Sequence, residues 1–387
     1  MAFTLSSSRI PAFERLLTSN IGRIAAIAID LIGSSASAQA SDATEAMPNR
    51  FELRPGVMID AAAGAAYLMN PGGGIDAIDL SSGKLLWSTT AAAKPIALFD
   101  DRLAAQAETH GDARVLPIVV LDTKNGGKVV LTASIPMPDG TWASVDEGLG
   151  TSFQISARVE HERLLVSWSA SQRTISGIAS PGPPPERKDR GDASIDLKTG
   201  HVETLTAEQG ARMRAGERPA KNPRMSGAER LQSPPRLVGN FFIATEVSSS
   251  GDRATLKRWS ADTGEPLPDV ELGAGFVTAT PAADGLLVAA AKAVGAGPIG
   301  LQEYLWSIYS LTSGKRVAEI QMFPSSAPFF IWRSNLIYVS PQYARRVKGT
   351  LLQEPLELRA LNLKPGTEVW KRELRDTAYR GPSPPSP

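Results

Sequence analysis

The chain has 387 residues, of which 42% are hydrophobic, and its 41 basic residues almost balance its 40 acidic residues. This near-neutral charge argues against a dedicated nucleic-acid-binding protein, which carries a positive excess. Cysteine is absent, which excludes disulfides, thiolate nucleophiles, iron–sulfur clusters and cysteine-based zinc sites.

The first forty residues have the order of a secretory signal. Three arginines precede an apolar stretch at 24–33, and Ala38 and Ala40 have the spacing of the small residues before a cleavage site. A disordered leader or a surface helix is the alternative for residues 1–40. No later stretch reaches the roughly 20 apolar residues that span a bilayer, so no transmembrane helix is expected in the mature chain. We therefore predict a periplasmic or secreted protein, with a cytoplasmic location as the alternative.

One short phrase recurs six times between residues 77 and 370. Each copy has an alternating apolar run, a polar turn that ends in glycine, and a second alternating run, which is the pattern of a β-hairpin. The six turn glycines are Gly83, Gly127, Gly200, Gly264, Gly314 and Gly366. A repeat of this kind indicates an array of equivalent supersecondary units.

A second hairpin candidate precedes each glycine turn. These candidates lie at 57–69, 95–107, 152–168, 236–247, 276–290 and 327–339. Two hairpins per unit predict a four-stranded antiparallel meander, and such sheets bury both faces by stacking around an axis. The sequence thus predicts an all-β fold at 48–376, a β-propeller of six four-stranded antiparallel blades, or seven if the leader or tail adds a sheet. No long stretch after residue 50 has helical periodicity, and the Pro-rich tail at 377–387 is predicted to be disordered.

The first copy, AIDLSSGKLLW at 77–87, and the last, ALNLKPGTEVW at 360–370, resemble the PQQ-like (quinoprotein-type) propeller repeat. The resemblance implies that Trp87 and Trp370 pack between neighbouring blades. Some members are quinoprotein dehydrogenases with an adjacent cysteine pair and a calcium ion held by Glu, Asn and Asp. This chain has no cysteine, and its sequence offers no assignable calcium set. The resemblance therefore favours a branch without a cofactor that scaffolds protein complexes at the cell envelope, and PQQ with calcium stays the alternative.

Five long insertions are predicted on the face opposite the glycine turns, at 134–150, 169–192, 206–235, 291–303 and 341–355. Long loops on a rigid scaffold commonly carry binding. Nine basic residues on two of them are the candidate partner-binding residues: Arg212, Arg214, Arg218, Lys221, Arg224, Arg230, Arg345, Arg346 and Lys348. They favour a protein or an anionic polymer as partner, whereas a solvated charged loop is the alternative.

Residue patterns for catalysis are sparse. His110, His161 and His201 have no metal-ligand spacing, and no nucleophile elbow is present. The predicted function is a non-catalytic propeller scaffold or binding protein of the cell envelope. The alternatives are a divergent quinoprotein-type oxidoreductase, another enzyme that uses carboxylates such as Asp60 in the axial pocket, and a purely structural envelope module. The oligomeric state is left open.

Overall fold

A computed structural model describes most of the chain between residues 49 and 375. The described ranges are 49–108, 114–138, 151–173, 186–215, 235–250, 253–273, 278–283, 286–296, 302–322, 329–340, 343–347, 350–364 and 366–375. The described residues all belong to one compact unit, 43–387. The predictions for the leader at 1–40 and for the tail at 377–387 lie outside the described residues.

The first half of the described chain forms three antiparallel sheets. Sheet 1 contains, in spatial order, β1 (Arg50–Arg54), β2 (Val57–Asp60), β3 (Ala65–Met69), β4 (Ile75–Asp79) and β5 (Leu85–Thr89). Sheet 2 contains β6 (Lys94–Phe99), β7 (Arg102–Gln106), β8 (Val115–Asp122) and β9 (Lys128–Pro136). Sheet 3 contains β10 (Thr151–Glu160), β11 (Arg163–Arg173), β12 (Glu186–Asp196) and β13 (Val202–Thr204).

The second half forms three more four-stranded sheets, one helix and one ribbon. The helix α1 (Ala207–Ala215) precedes sheet 4, which contains β14 (Arg236–Val238), β15 (Phe241–Val247), β16 (Ala254–Ser260) and β17 (Pro266–Gly273). Sheet 5 contains β18 (Thr278–Ala283), β19 (Leu286–Ala296), β20 (Gln302–Ser310) and β21 (Arg316–Met322). Sheet 6 contains β22 (Phe330–Trp332), β23 (Asn335–Ser340), β26 (Glu357–Asn362) and β27 (Glu368–Glu373). The ribbon pairs β24 (Tyr343–Val347) with β25 (Thr350–Glu354).

The chain is thus all-β with several four-stranded antiparallel sheets, and the six predicted hairpin pairs are present. Each is the first hairpin of its sheet except in sheet 1, where it is the second. Two features depart from the prediction. Sheet 1 has a fifth strand, β1, which pairs with β2 although its sequence is too short to suggest a hairpin. Three predicted loops are partly strand, because β11–β12 reach Arg173 and Glu186, β19–β20 reach Ala296 and Gln302, and residues 343–354 form the β24–β25 ribbon.

The repeated phrase forms one turn geometry at five of the six copies, in which the glycine N–H donates to the carbonyl four residues earlier. In the second copy the turn is one residue longer, and the Gly127 N–H donates to Asp122 O. The turn glycines have φ between +64° and +75°, a region where a side chain costs about 1 kcal/mol. In the first copy, the Gly83 N–H donates to Asp79 O at 2.8 Å, and the Asp79 side chain accepts the Ser82 N–H at 2.8 Å. These bonds lower the pKa of Asp79 below its ordinary value of 3.8, with the Ser81 hydroxyl as the largest contributor. The short polar side chain therefore stabilises the turn that glycine permits.

Apolar clusters join sequence-adjacent sheets at most of the junctions. Separate clusters join sheets 1 and 2, sheets 2 and 3, sheets 4 and 5, and sheets 5 and 6. A further cluster joins sheet 6 to sheet 1, where Ile337 and Leu358 pack with Ile59 and Leu80. Period-two alternation gives each of these strands a buried apolar side.

Sheet 3 differs from the others in its second face. One face carries Phe153, Val166 and Trp168 into the cluster shared with sheet 2. The opposite face carries exposed polar side chains, among them Gln154 and Ser156. Among the apolar clusters of the described residues, none contains side chains of both sheet 3 and sheet 4.

The helix α1 has nine residues. It lies within the predicted 206–235 insertion, and the Thr206 hydroxyl and the Gln209 side chain bond each other's backbone N–H as a capping box. In the part of the chain that the structure describes, no helix is long and apolar enough to cross a bilayer.

Candidate functional site

Two tryptophans dock on glycine turns of neighbouring sheets. The Trp87 indole N–H donates to Thr123 O at 3.1 Å, and a Cβ at Gly127 would lie 2.6 Å from the ring. The Trp370 indole N–H donates to Leu80 O at 3.0 Å, and a Cβ at Gly83 would lie 2.7 Å from its side chain. Glycine is required at both turns because a side chain would occupy the space of the indole.

Sheet 6 is fastened to sheet 1 by a second tryptophan. The Trp332 indole N–H donates to Ala61 O at 3.1 Å, and a Cβ at Gly64 would lie 3.3 Å from the ring. At the start of both sheets, Phe51 meets Phe330 edge-on with ring centroids 4.8 Å apart. Sheet 6 therefore docks on sheet 1 through two of the turns of sheet 1, those of Gly64 and Gly83.

An arginine performs the same docking between sheets 4 and 5. Arg258 is 2% exposed, and its guanidinium donates to Leu311 O and, at 2.6 Å, to Pro268 O. Leu311 and Leu80 each lie three residues before a turn glycine. The Arg258 guanidinium therefore bonds the carbonyl of its turn that is equivalent to the one bonded by the Trp370 indole. The sequence analysis missed this residue because Arg258 precedes its own turn, whereas both repeat tryptophans follow theirs.

The contacts between the glycine turns and the residues docked on them place the turns of linked sheets at one end. The opposite ends of the sheets carry most of the added structure. There the β11–β12 hairpin extends well past β13, the β24–β25 ribbon leaves sheet 6 between β23 and β26, and α1 follows sheet 3. We call this the ribbon-bearing end.

The structure places a few of the nine predicted basic residues at this end. Arg212 lies on α1, exposed, with its guanidinium 2.6 Å from the Glu208 carboxylate. Arg214 also lies on α1, and Arg345 and Arg346 lie on β24. The remaining candidates lie outside the described residues: Arg218, Lys221, Arg224, Arg230 and Lys348. The described contacts therefore bring none of the nine together into one patch.

The helix α1 contacts sheet 3 through polar groups. A Cβ at Gly210 would lie 2.0 Å from the Asp192 carboxylate, which also accepts the Ser167 hydroxyl at 2.7 Å. The Arg158 guanidinium donates to Met213 O near the end of the helix at 2.6 Å, and a cation is favourable at a helix C-terminus. An inserted helix thus sits on the polar face of sheet 3.

Asp60, the candidate carboxylate for an axial active site, is already engaged. It is 3% exposed, and its carboxylate accepts Arg50 Nε at 2.9 Å and the Ala63 N–H at 2.9 Å. Both oxygens therefore serve the fold of sheet 1.

The histidines are dispersed. His161 lies in the β10–β11 turn with φ of 45°, His201 follows the third glycine turn, and His110 lies outside the described residues. Within the described ranges, no group of three histidine or carboxylate side chains is arranged to hold a metal.

A surface groove of about 530 Å³ lies at the turn end between sheets 2 and 3. The groove was not anticipated from the sequence, because it forms between turns that are far apart in the chain. Its lining carboxylates include Asp101, which pairs with Lys124 at 2.7 Å, and Glu162, which pairs with Lys198 at 2.6 Å. These pairs are exposed and leave a surface of mixed charge.

A buried polar pair lies at the other end of sheet 2. Lys94 and Gln106 are cross-strand neighbours on β6 and β7, exposed by only 2% and 0%. Both Gln106 amide atoms are buried without a hydrogen-bond partner. A buried amide in this state is costly, and a small polar ligand that reached Gln106 would remove that cost.

No protein-family model matches the chain, and no curated protein matches it. Solved structures with some likeness include the AtxE2 isopeptidase (TM-score 0.37, 14% identity, 88% of this chain and 53% of that one). A europium-containing methanol dehydrogenase follows with TM-score 0.31 and 11% identity, over 86% of this chain and 80% of that one. The β-propeller domain of the Trilobed protease from Pyrococcus furiosus has TM-score 0.25 and 11% identity, over 59% of each chain. The chain spans about half the length of the isopeptidase, and likeness at these TM-scores carries no argument about function.

Proposed function

We propose that this chain is a non-catalytic β-propeller scaffold of the cell envelope, which binds a protein or an anionic polymer through its ribbon-bearing end. In this proposal the six sheets close into six blades of the PQQ-like repeat type. The docking of sheet 6 on sheet 1 supports closure, because an open array would leave the first and last sheets without shared contacts.

The observation that carries the proposal is the difference between the two ends of the sheets. At one end, indoles and a guanidinium fix short turns against neighbouring sheets. At the other end, a long hairpin, a ribbon and a helix are supported by that rigid array. Binding sites commonly lie in such inserted elements, because the rigid sheets hold them in place without contacting the partner.

The ribbon-bearing end can be altered without touching the sheets. Ser340 pairs with Glu357 where β23 and β26 meet. Residues 341–355 can therefore be replaced by Asn-Gly, which with the retained, buried Leu356 makes a three-residue hairpin loop. A second variant replaces 206–235 with a short Gly-Ser linker. The matched control changes exposed lysines of the turn end, Lys84→Glu and Lys128→Glu.

The test is crosslinking in envelope extracts followed by mass spectrometry. We expect partners crosslinked to wild type and to the lysine control, and lost from at least one ribbon-end variant. An unchanged partner set in both ribbon-end variants would show that this end does not bind. Envelope location is tested separately by N-terminal sequencing of the mature chain, which should begin after Ala40, whereas an intact cytosolic chain would refute it.

The buried Lys94–Gln106 pair supports a second candidate, an enzyme with a pocket at the axial end of sheet 2. The resemblance to the PQQ-like repeat implies PQQ with calcium as the cofactor of such an enzyme. Dye reduction on addition of PQQ and calcium, abolished by Lys94→Met, would favour it. No dye reduction above a control without protein would remove the quinoprotein version.

A further inference from the structure

At three junctions a side chain of one sheet donates to one particular backbone carbonyl of its neighbour. That carbonyl belongs to the residue directly after the one that accepts the turn-glycine N–H. The junctions are those of sheet 1 with sheet 2, of sheet 6 with sheet 1 and of sheet 4 with sheet 5, where Trp87 bonds Thr123 O, Trp370 bonds Leu80 O and Arg258 bonds Leu311 O. In each case the carbonyl faces the sheet that supplies the donor.

The junction between sheets 2 and 3 has no such donor at the repeat position. Trp87 and Trp370 lie opposite the residue two positions before the first polar residue of their turn. In sheet 2 the equivalent position is Leu131, which lies opposite Val120. An aliphatic side chain has no N–H to donate.

The equivalent carbonyl of sheet 3 belongs to Leu197. This residue directly follows Asp196, whose carbonyl accepts the Gly200 N–H at 2.8 Å. Leu197 is 8% exposed and lines the groove between sheets 2 and 3, and the equivalence makes its carbonyl face sheet 2. Among the described residues, none donates a hydrogen bond to this carbonyl. The groove therefore contains an acceptor that an indole or a guanidinium bonds at three other junctions.

The other lining residues suit a cation on an apolar stem. Phe99 and Val159 are apolar and are buried or half-buried. The charged lining residues are four carboxylates and two cations: Asp100, Asp101, Asp122, Glu162, Arg102 and Lys198. The Glu162–Lys198 pair is exposed, so exchange of the lysine for another cation costs little. Arginine combines an aliphatic stem with a planar fork of N–H donors.

We propose that the groove between sheets 2 and 3 binds an arginine side chain of a partner protein, whose guanidinium donates to the Leu197 carbonyl and to the Glu162 carboxylate. The stem of that arginine lies on Phe99 and Val159. Within the chain itself, Arg258 makes the same bond to the equivalent carbonyl of sheet 5. The inference goes beyond the proposed function, because the groove lies at the turn end and not at the ribbon-bearing end.

The probe is a capped Gly-Ser-Arg-Ser-Gly peptide with an uncharged fluorophore, whose binding to the full chain is followed by anisotropy. Two matched peptides replace its arginine with citrulline, which keeps the shape and removes the charge, or with lysine. We expect citrulline to bind about tenfold more weakly, since charged hydrogen bonds are lost. Lysine should bind a few-fold more weakly, because an ammonium lacks the planar fork. Equal affinity for either peptide would overturn the assignment to a guanidinium.

Two variants test the carboxylates and the carbonyl separately. Asp100→Asn with Glu162→Gln removes two charges from the groove, and Asn suits the positive φ of Asp100. Leu131→Trp supplies an indole at the repeat position, where it should bond Leu197 O and compete with the arginine. The control is Asp262→Asn, an exposed carboxylate on the glycine turn of sheet 4. Circular dichroism and the thermal midpoint check that each variant folds as wild type does.

We expect about tenfold weaker binding of the arginine peptide to the double variant and to Leu131→Trp, and unchanged binding to Asp262→Asn. Wild-type affinity in the double variant would overturn the proposal, as would an equal loss in the control. If Leu131→Trp does not fold, the double variant and the citrulline peptide decide the outcome.

Two further outcomes separate the alternatives. If wild type self-associates and the double variant is monomeric, a second copy occupies the groove and the partner proposal is wrong. If the arginine peptide fails to bind while the ribbon-end variants lose their crosslinked partners, only this inference fails. If the peptide binds as expected while the crosslinked partner set is unchanged in those variants, the proposed function fails and this inference stands.

Discussion

The junction between sheets 6 and 1 and the second face of sheet 3 differ in the kind of side chain that covers a sheet face. At the junction, two indoles lie on glycine turns and an apolar cluster fills the space between the sheets. On the second face of sheet 3, serines, Asp192 and an inserted helix take the place of apolar side chains. The comparison indicates that a repeat array can pack apolar side chains where its first and last sheets meet and polar side chains where it carries an insertion.

The glycine turns of sheets 1 and 3 are alike, although the groups docked on them differ. The turns at Gly83 and Gly200 share the same φ range and the same bond from the glycine N–H to the Asp carbonyl four residues earlier. Trp370 lies on the first turn, whereas the third is approached by the Leu131 side chain and the Thr132 carbonyl. The same turn thus accepts an indole or a smaller aliphatic side chain from the neighbouring sheet, and sheets 2 and 3 still share an apolar cluster.

The largest expected effect is the loss of the indole at the tight junction. Trp370 is 7% exposed, so Trp370→Ala should lower the free energy of unfolding by about 3–5 kcal/mol through the cavity and the lost hydrogen bond. Leu165→Ala, at a half-buried position on the polar face of sheet 3, should cost about 1 kcal/mol. Urea unfolding measures both, and equal losses would contradict the contrast.

The next effect isolates the space beneath the indole. Gly83→Ala and Gly366→Ala both place a side chain at φ near +65°, at a shared cost of about 1 kcal/mol. Only at Gly83 would the new Cβ meet Trp370, because nothing lies within 4 Å of the Cβ position at Gly366. We expect Gly83→Ala to be worse by about 1–3 kcal/mol in urea unfolding. Indistinguishable midpoints would show that the indole does not lie on that turn.

A smaller effect is expected where α1 meets sheet 3. Gly210→Ala raises helix propensity by about 1 kcal/mol, but its Cβ would overlap the Asp192 carboxylate. The helix should therefore undock while staying helical, seen as faster hydrogen exchange at 207–215 with little change in global stability. Adding Asp192→Ser should restore protection, and slow exchange in the single variant would contradict this docking.

The smallest expected effect is the pH dependence of the free energy of unfolding, which should be the same at the glycine turns of sheets 1 and 3. Hydrogen bonds lower the pKa of Asp79, chiefly from the Ser81 hydroxyl, and that of Asp196, chiefly from the Thr199 N–H, below the unfolded value of 3.8. The folded state therefore binds fewer protons, so this stabilisation is present above pH about 4 and is lost as pH falls through the lower folded pKa.

Asp79→Asn and Asp196→Asn test this acid dependence. Asn keeps an acceptor for the turn, as Asn362 does for the Lys364 N–H at 3.0 Å. We expect each variant to lose less stability than wild type between pH 4 and pH 2 in urea unfolding. A steeper acid loss in either variant would mean that the turn carboxylates do not titrate as described.

The repeated turn could be predicted from the sequence because its cause is local. Glycine after a short polar run admits positive φ at each copy, and alternation marks the strands on either side. The docking of Arg258 could not be predicted, because it depends on a carbonyl 53 residues away in the next sheet. Likewise, the five residues of β1 are too few to identify a strand, and its place in sheet 1 is defined by its pairing with β2.

The loops that were expected to carry binding differ in form from the prediction. Charged, proline-rich stretches indicated loops, yet 186–192 and 343–354 are largely strands, since pairing with a neighbouring strand overrides weak local propensity. β12 also continues past its pairing with β13, which covers only Ala193 to Ile195. No composition signal marks the point at which a partner strand stops.

The central claim, that sheet 6 closes on sheet 1, is tested most directly by spin labels in this cysteine-free chain. Lys84 and Lys371 flank the docked indole of Trp370, and Lys128 and Ser88 occupy the equivalent positions around Trp87 between sheets 1 and 2. Labelled as cysteine pairs, the two junctions should give the same dipolar broadening in electron paramagnetic resonance spectra. Broadening for 88/128 without broadening for 84/371 would show an open array and contradict the account.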